Sequence, residues 1–134
     1  MPNLQLIYAS RPFGYDLNML ASILATSRQR NTRDDITGAL ICRSDVFLQL
    51  LEGPAVQVEA TFQRICRDDR HLEITKLASG SVEDRLFPDW AMKHDPAESW
   101  LYPPEAIHDG ALTSASEQEI RAIFLRSGNS QGSS

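Results

Sequence analysis

The sequence predicts a single α+β domain, and three observations lead to that prediction. The chain has 134 residues, close to the commonest size of one domain. It contains 42% hydrophobic and 23% charged residues, as in ordinary globular proteins. Its predicted elements follow the order strand, helix, hairpin, helix, strand, strand. This order is typical of a ferredoxin-like sandwich, a mixed five-stranded sheet with two helices on one face.

The N-terminal segment predicts a strand followed by a helix. Residues 4–10 form an apolar run that ends at turn-forming residues. Asp16 can cap a helix that runs to about Asn31. The apolar stripe of this helix gives way to polar residues, and Ser27 and Asn31 stand four apart on one face. Such a helix can place a hydroxyl and an amide at the edge of a core.

The middle of the chain predicts a hairpin, a second helix and two further strands. Residues 36–42 and 46–51 are apolar runs separated by three polar residues. A Gly-Pro pair at 53–54 opens a helix, because proline is tolerated in a first helical turn. A strand over residues 73–78 and another that starts near Trp90 complete the sheet.

The C-terminal segment is expected to cover the other face of the sheet. Ser116 and Glu119 form a capping box, and apolar residues follow it at helical spacing. The last residues are rich in Gly and Ser and are expected to be disordered. The chain therefore divides into a core over residues 1–95, a helical cap over 96–126 and a tail over 127–134.

Composition and motifs argue against several classes of protein. A net charge of -5 disfavours a general nucleic-acid binder. The sequence shows neither a signal peptide nor a membrane-spanning stretch, and two cysteines without metal spacing fit a reducing cytoplasm. We find no zinc-binding histidine pair, nucleophile elbow, Walker loop or dinucleotide fingerprint. The sequence therefore predicts neither an enzyme nor a metal site.

Two polar side chains are predicted to be buried in the sheet. Gln49 shares a strand face with Phe47 and Leu51, and the opposite face is also apolar. A buried amide without partners costs about 1–3 kcal/mol, so Gln49 must be hydrogen-bonded. The hydroxyl of Tyr8, in the first strand, also needs a partner. Both residues suit a binding site, and both equally suit a core that satisfies its own polar groups.

Three further features allow either a functional or a purely structural interpretation. Asn31 suits a helix end as well as a binding site. Trp90 and Met92, two apart on one strand face, are also explained by packing. The charged residues from Arg64 to His71 are typical of a solvated helix end. They equally suit a phosphate-bearing cofactor, because arginine donates to phosphate oxygens with forked geometry.

Taken together, six stretches resemble the BLUF family, which senses blue light with flavin adenine dinucleotide (FAD). They occur in the family's order and cover roughly residues 3–95. The stretches are residues 6–10 (LIYAS), 27–31 (SRQRN), 36–40 (ITGAL), 47–53 (FLQLLEG), 65–71 and 85–92.

The resemblance implies a non-covalent FAD whose isoalloxazine ring lies between the two helices. Tyr8 and Gln49 match the family's photoactive pair, and Asn31 matches the amide at the pyrimidine edge of the ring. Trp90 and Met92 match a pair linked to signal output. The other matching cofactor positions are Ser27, Arg30, Arg64, Asp68, Arg70 and His71, where Arg30 and Arg64 replace a histidine found in some members.

The function implied is that of a photoreceptor, with no substrate turned over. Excited flavin is a strong oxidant, tyrosine gives up an electron when its proton can leave, and the Gln49 amide can relay that proton. The amide is then left rotated or as its imidic tautomer. The signal is expected to pass through Trp90 or Met92 to the C-terminal helix. Because the chain ends soon after that helix, we expect an unidentified partner protein in trans, and a homodimer is also plausible.

Two other functions stay open on the sequence alone. A flavin-free ferredoxin-like interaction domain fits the composition. A small flavin oxidoreductase would use the same pocket, although no residues for a second substrate are visible. The residues themselves do not distinguish FAD from the mononucleotide FMN. A bound flavin would exclude the first alternative, and reversible photochemistry would exclude the second.

Overall fold

The structure is a computed structural model, and it describes residues 3–12, 17–43, 46–67, 71–87, 93–96, 110 and 114–132. Within these residues five strands form one sheet. The strands are β1 (Asn3–Pro12), β2 (Thr37–Arg43), β3 (Val46–Gly53), β4 (His71–Val82) and β5 (Lys93–Pro96). Their order across the sheet is β4-β1-β3-β2-β5.

The sheet is mixed, as expected from the sequence. β1 pairs antiparallel with both β3 and β4, and β2 pairs antiparallel with β3. The short β5 runs parallel to β2 at the edge. β3 is the middle strand of the five. Trp90, which was expected near the start of the last strand, lies outside the described residues.

Among the described residues, three helices cover the two faces of the sheet. α1 (Leu17–Asp34) and α2 (Ala55–Cys66) pack on one face, and α3 (Glu117–Gly132) packs on the other. This layering confirms the ferredoxin-like α+β prediction. None of the helices in the described part of the chain is long and apolar enough to cross a bilayer.

The central strand is buried along its whole length, because it lies between two cores. All eight residues of β3 are buried. Phe47 and Leu51 join the core under α1 and α2, whereas Leu48 and Leu50 join the core under α3. Each fully buried side chain of this size contributes about 1.5–3 kcal/mol by leaving water. The alternation predicted for this strand is confirmed.

The C-terminal helix begins at the predicted capping box. The Ser116 N–H donates to Glu119 Oε1 at 3.1 Å, and the Glu119 N–H donates to Ser116 Oγ at 3.1 Å. The helix continues to Gly132, whereas we expected the cap to end at residue 126 and a disordered tail to follow. The backbone of residues 127–132 is helical because each added residue gains one hydrogen bond once a helix is nucleated. α1 likewise ends at Asp34, three residues beyond the expected end.

Candidate functional site

A cavity of about 290 Å³ lies between α1 and α2 at the surface of the sheet. Five residues of α1 line it, and their three- and four-residue spacing places them on one helical face. These residues are Ile23, Thr26, Ser27, Arg30 and Asn31. Ser27 and Asn31, which were expected on one face of this helix, both line the cavity, and Asn31 is only 2% exposed.

The second helix and the central strand complete the cavity. Thr61, Arg64 and Ile65 of α2 line it together with Arg67, which caps the C-terminus of that helix. Gln49 and Leu51 of β3 form its floor. Its volume is near the lower end of small-molecule sites, roughly 300–1,000 Å³. The cavity can therefore hold a ring system, while a longer attached chain would extend toward the solvent.

The buried phenol and amide meet directly beneath this cavity. Tyr8 and Gln49 are cross-strand partners on β1 and β3, so their side chains lie on the same face. The Tyr8 hydroxyl donates a hydrogen bond to Gln49 Oε1. The Tyr8 ring also packs on Phe62 of α2, with ring centroids 5.5 Å apart. Tyr8 is fully buried and Gln49 is 2% exposed.

Gln49 is the link between Tyr8 and the cavity. Gln49 lines the cavity, and Tyr8 is absent from the lining residues. A carboxamide both donates and accepts hydrogen bonds, so Gln49 can bond the phenol and also respond to a group held in the cavity. The Tyr8 phenol thus contacts the Gln49 amide, and the amide in turn contacts a cavity large enough for a ring system.

The mouth of the cavity carries positive charge. Its lining residues include Arg30, Arg64 and Arg67, and none of the described lining residues is acidic. Arg30 and Arg67 are exposed. Arg64 Nη2 lies 3.3 Å from Asp34 Oδ2 and donates to Thr61 Oγ1 at 3.0 Å. Such a mouth suits an anionic group such as a phosphate.

Asp34 connects the two helices at this mouth and holds Arg64 in place. The hydrogen bond from Arg33 lowers the pKa of Asp34 below its ordinary value, and a hydrogen bond from Arg64 acts in the same direction while burial opposes both. Arg33 Nε lies 3.2 Å from Asp34 Oδ1. The carboxylate thus faces one guanidinium from its own helix and one from α2.

The predicted site residues can now be located. Ser27, Arg30, Asn31, Gln49 and Arg64 come together around the cavity, with Tyr8 behind Gln49. Asp68, Arg70, Trp90 and Met92 lie outside the described residues, and His71 begins β4. In the described ranges no three His, Cys, Asp or Glu side chains are grouped as metal ligands.

Sequence reasoning missed three polar residues near the cavity. Thr26 lines it, Thr61 lines it and bonds Arg64, and Asp34 pairs with Arg64. Thr61 had a usable signal, since it stands three residues before Arg64 and therefore on the same helical face. The Asp34–Arg64 pair had none, because it joins two helices.

We expect Asp34→Asn to lower stability only where the carboxylate is ionised. Because the folded-state pKa lies below the ordinary value of 3.8, the stability from Asp34 is present above that pH and is lost as the pH falls below it. The variant should be less stable by about 0.2–1 kcal/mol at neutral pH. Urea unfolding from pH 3 to pH 8 measures this. The two proteins should converge in acid, and a constant difference down to pH 3 would contradict the assignment.

Comparison with known proteins identifies the family of this chain. Residues 4–93 match the BLUF family, described as "Sensors of blue-light using FAD". The chain is 34% identical over 74 residues to photoactivated adenylate cyclase subunit beta of Euglena gracilis, covering 54% of this chain and 9% of that protein. It is 35% identical over 68 residues to the blue light- and temperature-regulated antirepressor BluF of Escherichia coli K12, covering 51% and 17%. The chain thus spans less than a fifth of the length of these relatives.

Solved structures show the same fold over nearly the whole chain. The dark-state structure of the BLUF protein BlrB superposes with a TM-score of 0.76 at 29% identity, covering 93% of each chain. The photo-activated state of BlsA gives a TM-score of 0.76 at 28% identity and the same coverage. Since the family match spans most of the chain and the cavity residues lie within it, this protein belongs to the BLUF family of blue-light sensors.

Proposed function

We propose that this protein is a blue-light photoreceptor that binds FAD in the cavity between α1 and α2 and signals by rearranging the hydrogen bonds of Gln49. The observation that carries the proposal is the Tyr8–Gln49 hydrogen bond directly beneath that cavity. The family match supplies the light response and the flavin. FAD is assigned from the family description, and the roles of the individual residues are inferred from the site.

The cavity residues suit such a cofactor. Asn31 is almost fully buried and lines the cavity, so its amide can bond the polar edge of a flavin ring. Ile23, Leu51 and Ile65 provide apolar surface for the ring itself. Arg30, Arg64 and Arg67 stand where a phosphate-bearing chain would leave the core, and we expect Asp68, Arg70 and His71 to extend that region.

The light reaction depends on proton movement between two side chains. The bound flavin supplies absorption of blue light and a strongly oxidising excited state. Tyr8 would give an electron to the excited flavin and pass its phenolic proton to Gln49 Oε1, the atom that already accepts its hydrogen bond. Gln49 would then release a proton from its nitrogen to the flavin, so that electron and proton both reach the cofactor. When the electron and proton return, the amide is left rotated or as its imidic tautomer, and the change reverses in the dark.

The output is a shift in the population of two arrangements of the domain. We propose that Trp90 and Met92 connect Gln49 to β5 and α3, where a partner protein or a second copy reads the change. Two relatives, an adenylate cyclase subunit and an antirepressor, are named for different outputs. This variety supports a sensor that turns over no substrate of its own, and it favours the photoreceptor over a flavin oxidoreductase.

Removing either member of the photoactive pair should abolish the light response. Illumination of the purified protein should shift the flavin absorption slightly to the red, with recovery in the dark. Tyr8→Phe and Gln49→Leu should bind flavin and show no shift, because each breaks the hydrogen bond between phenol and amide. Gln63→Leu, on the exposed face of α2, is the control and should behave like the parent. A full shift in Tyr8→Phe would contradict the mechanism.

The cofactor assignment predicts that arginine at the mouth recognises phosphate. Flavin-free protein should bind FAD more tightly than riboflavin. Arg30→Gln should weaken FAD binding about three- to tenfold, because one exposed hydrogen bond or ion pair contributes about 1 kcal/mol. Riboflavin binding should not change. Arg28→Gln is the control, since Arg28 is exposed on the same helix but is absent from the cavity lining. Equal weakening of FAD and riboflavin binding would contradict this role, and purified protein carrying only FMN would contradict the dinucleotide.

A further inference from the structure

A buried carboxylate on the opposite face of the sheet plays no part in the light reaction proposed above. Glu52 of β3 is fully buried, although carboxylates are rarely buried unless they are paired. Both of its oxygens are bonded. Oε1 accepts from the backbone N–H of Phe87 at 2.6 Å, and Oε2 accepts from Gln5 Nε2 at 3.3 Å.

Gln5 extends this contact to the C-terminal helix. Gln5 is the cross-strand partner of Glu52 and is 6% exposed. Its Oε1 accepts from Nε of Arg121, on α3, at 2.9 Å. A carboxylate only accepts hydrogen bonds and a guanidinium only donates them, so the Gln5 amide connects the two in only one orientation.

Two aromatic rings provide a second, direct contact between Phe87 and α3. Phe87 follows β4 in sequence, and its ring is buried against Phe124 of α3, with centroids 6.5 Å apart at a steep angle. α3 is therefore joined to Phe87 directly through Phe124 and indirectly through Arg121, Gln5 and Glu52. We call these five residues the α3 clamp.

The position of the α3 clamp relates it to the flavin cavity. Glu52 lies three residues after Gln49 on the same strand, on the opposite face. Phe87 lies three residues before Trp90 and five residues before Met92 in the sequence. Every buried side-chain nitrogen and oxygen among the described residues is hydrogen-bonded. A displacement of β3 relative to Gln5 would therefore break bonds between these residues and leave buried polar groups without partners.

We propose that Gln5 and Glu52 are positioning residues for signal output, holding α3 and the Phe87 segment to β3 in the dark arrangement. The proposal rests on the photoreceptor function for its role in signalling, but the clamp itself is a property of the dark protein. Light-driven change at Gln49 is transmitted when β3 moves relative to Gln5 and the clamp loosens.

Glu52→Gln tests the clamp with almost no change of shape. An amide at position 52 must turn its NH₂ group toward either the Phe87 N–H or the NH₂ of Gln5. If Gln5 turns round to accommodate it, its own NH₂ faces Arg121. One bond of the chain is lost in every orientation, because two donors then face each other.

The measurement is hydrogen exchange of backbone amides in dark and illuminated full-length protein. In the dark, Glu52→Gln should raise exchange at Phe87 and in the first turns of α3 about two- to tenfold, as expected for one lost hydrogen bond. The light-minus-dark difference in hydrogen exchange of α3 should fall below about half of the parent value. A clamp already loosened in the dark by up to about tenfold has lost free energy comparable to a typical coupling between two sites, so light has less left to release. The red shift should persist, because Gln49 lies on the other face.

Two further variants separate a coupled clamp from a local structural role. Arg121→Gln cuts the chain at its partly exposed end and should raise exchange at the distant Phe87 amide as well as in α3. Glu117→Gln is the matched control: Glu117 Oε2 lies 3.7 Å from Arg121 Nη1 on the exposed side of α3, and its loss leaves the bond to Gln5 intact. This control should match the parent at Phe87.

The outcomes distinguish failure of the clamp from failure of the photoreceptor proposal. Unchanged dark exchange at Phe87 in both Glu52→Gln and Arg121→Gln would overturn the clamp. A full light-minus-dark difference in α3 of Glu52→Gln would overturn its role in output. Absence of a red shift in the parent protein would contradict the photoreceptor function instead, and the dark measurements would still test the clamp. Arg121→Gln provides that dark test if Glu52→Gln does not fold.

Discussion

The structure depends on a central strand that is buried on both faces and still carries polar side chains. β3 lies between two cores, and Gln49 and Glu52 project from its opposite faces. Burial without partners would cost about 1–3 kcal/mol for the amide and more for the carboxylate. Each must therefore find a partner on its own side. Gln49 bonds Tyr8 beneath the cavity, and Glu52 bonds Gln5 and Phe87 beneath α3.

This constraint explains how a small domain can join a cofactor site to a distant surface. A buried hydrogen bond cannot be exchanged for one to water when the strand shifts, so a change on one face must be accommodated on the other. The cavity side combines a phenol, an amide and three arginines at its mouth. The α3 side combines a carboxylate, an amide and a guanidinium. β3 is the element that the two sides share, and the proposed clamp would make them depend on one another.

Much of this arrangement could be predicted from local sequence patterns. Alternation along β1 and β3 placed Tyr8 and Gln49 among core residues, and helical spacing placed Ser27 and Asn31 on one face of α1, because both periodicities follow from backbone geometry. The α3 clamp could not be found this way. Glu52 lies 47 residues from Gln5, and Gln5 lies 116 residues from Arg121, so their contacts exist only after the sheet and α3 have assembled. The ends of α1 and α3 were predicted three and six residues too early, because composition and capping residues locate a helix end only approximately.

The most direct test of the central claim is whether Tyr8 takes part in the light reaction. The measurement is a light-minus-dark infrared difference spectrum of protein labelled with ring-deuterated tyrosine. The chain has three tyrosines, so Tyr15→Phe/Tyr102→Phe leaves Tyr8 as the only labelled side chain. We expect a label-dependent phenol band in the parent protein, because the hydrogen bond from Tyr8 to Gln49 changes on illumination. The double variant should show the same band at full intensity. A spectrum without a label-dependent band, or one that loses the band in the double variant, would contradict the account.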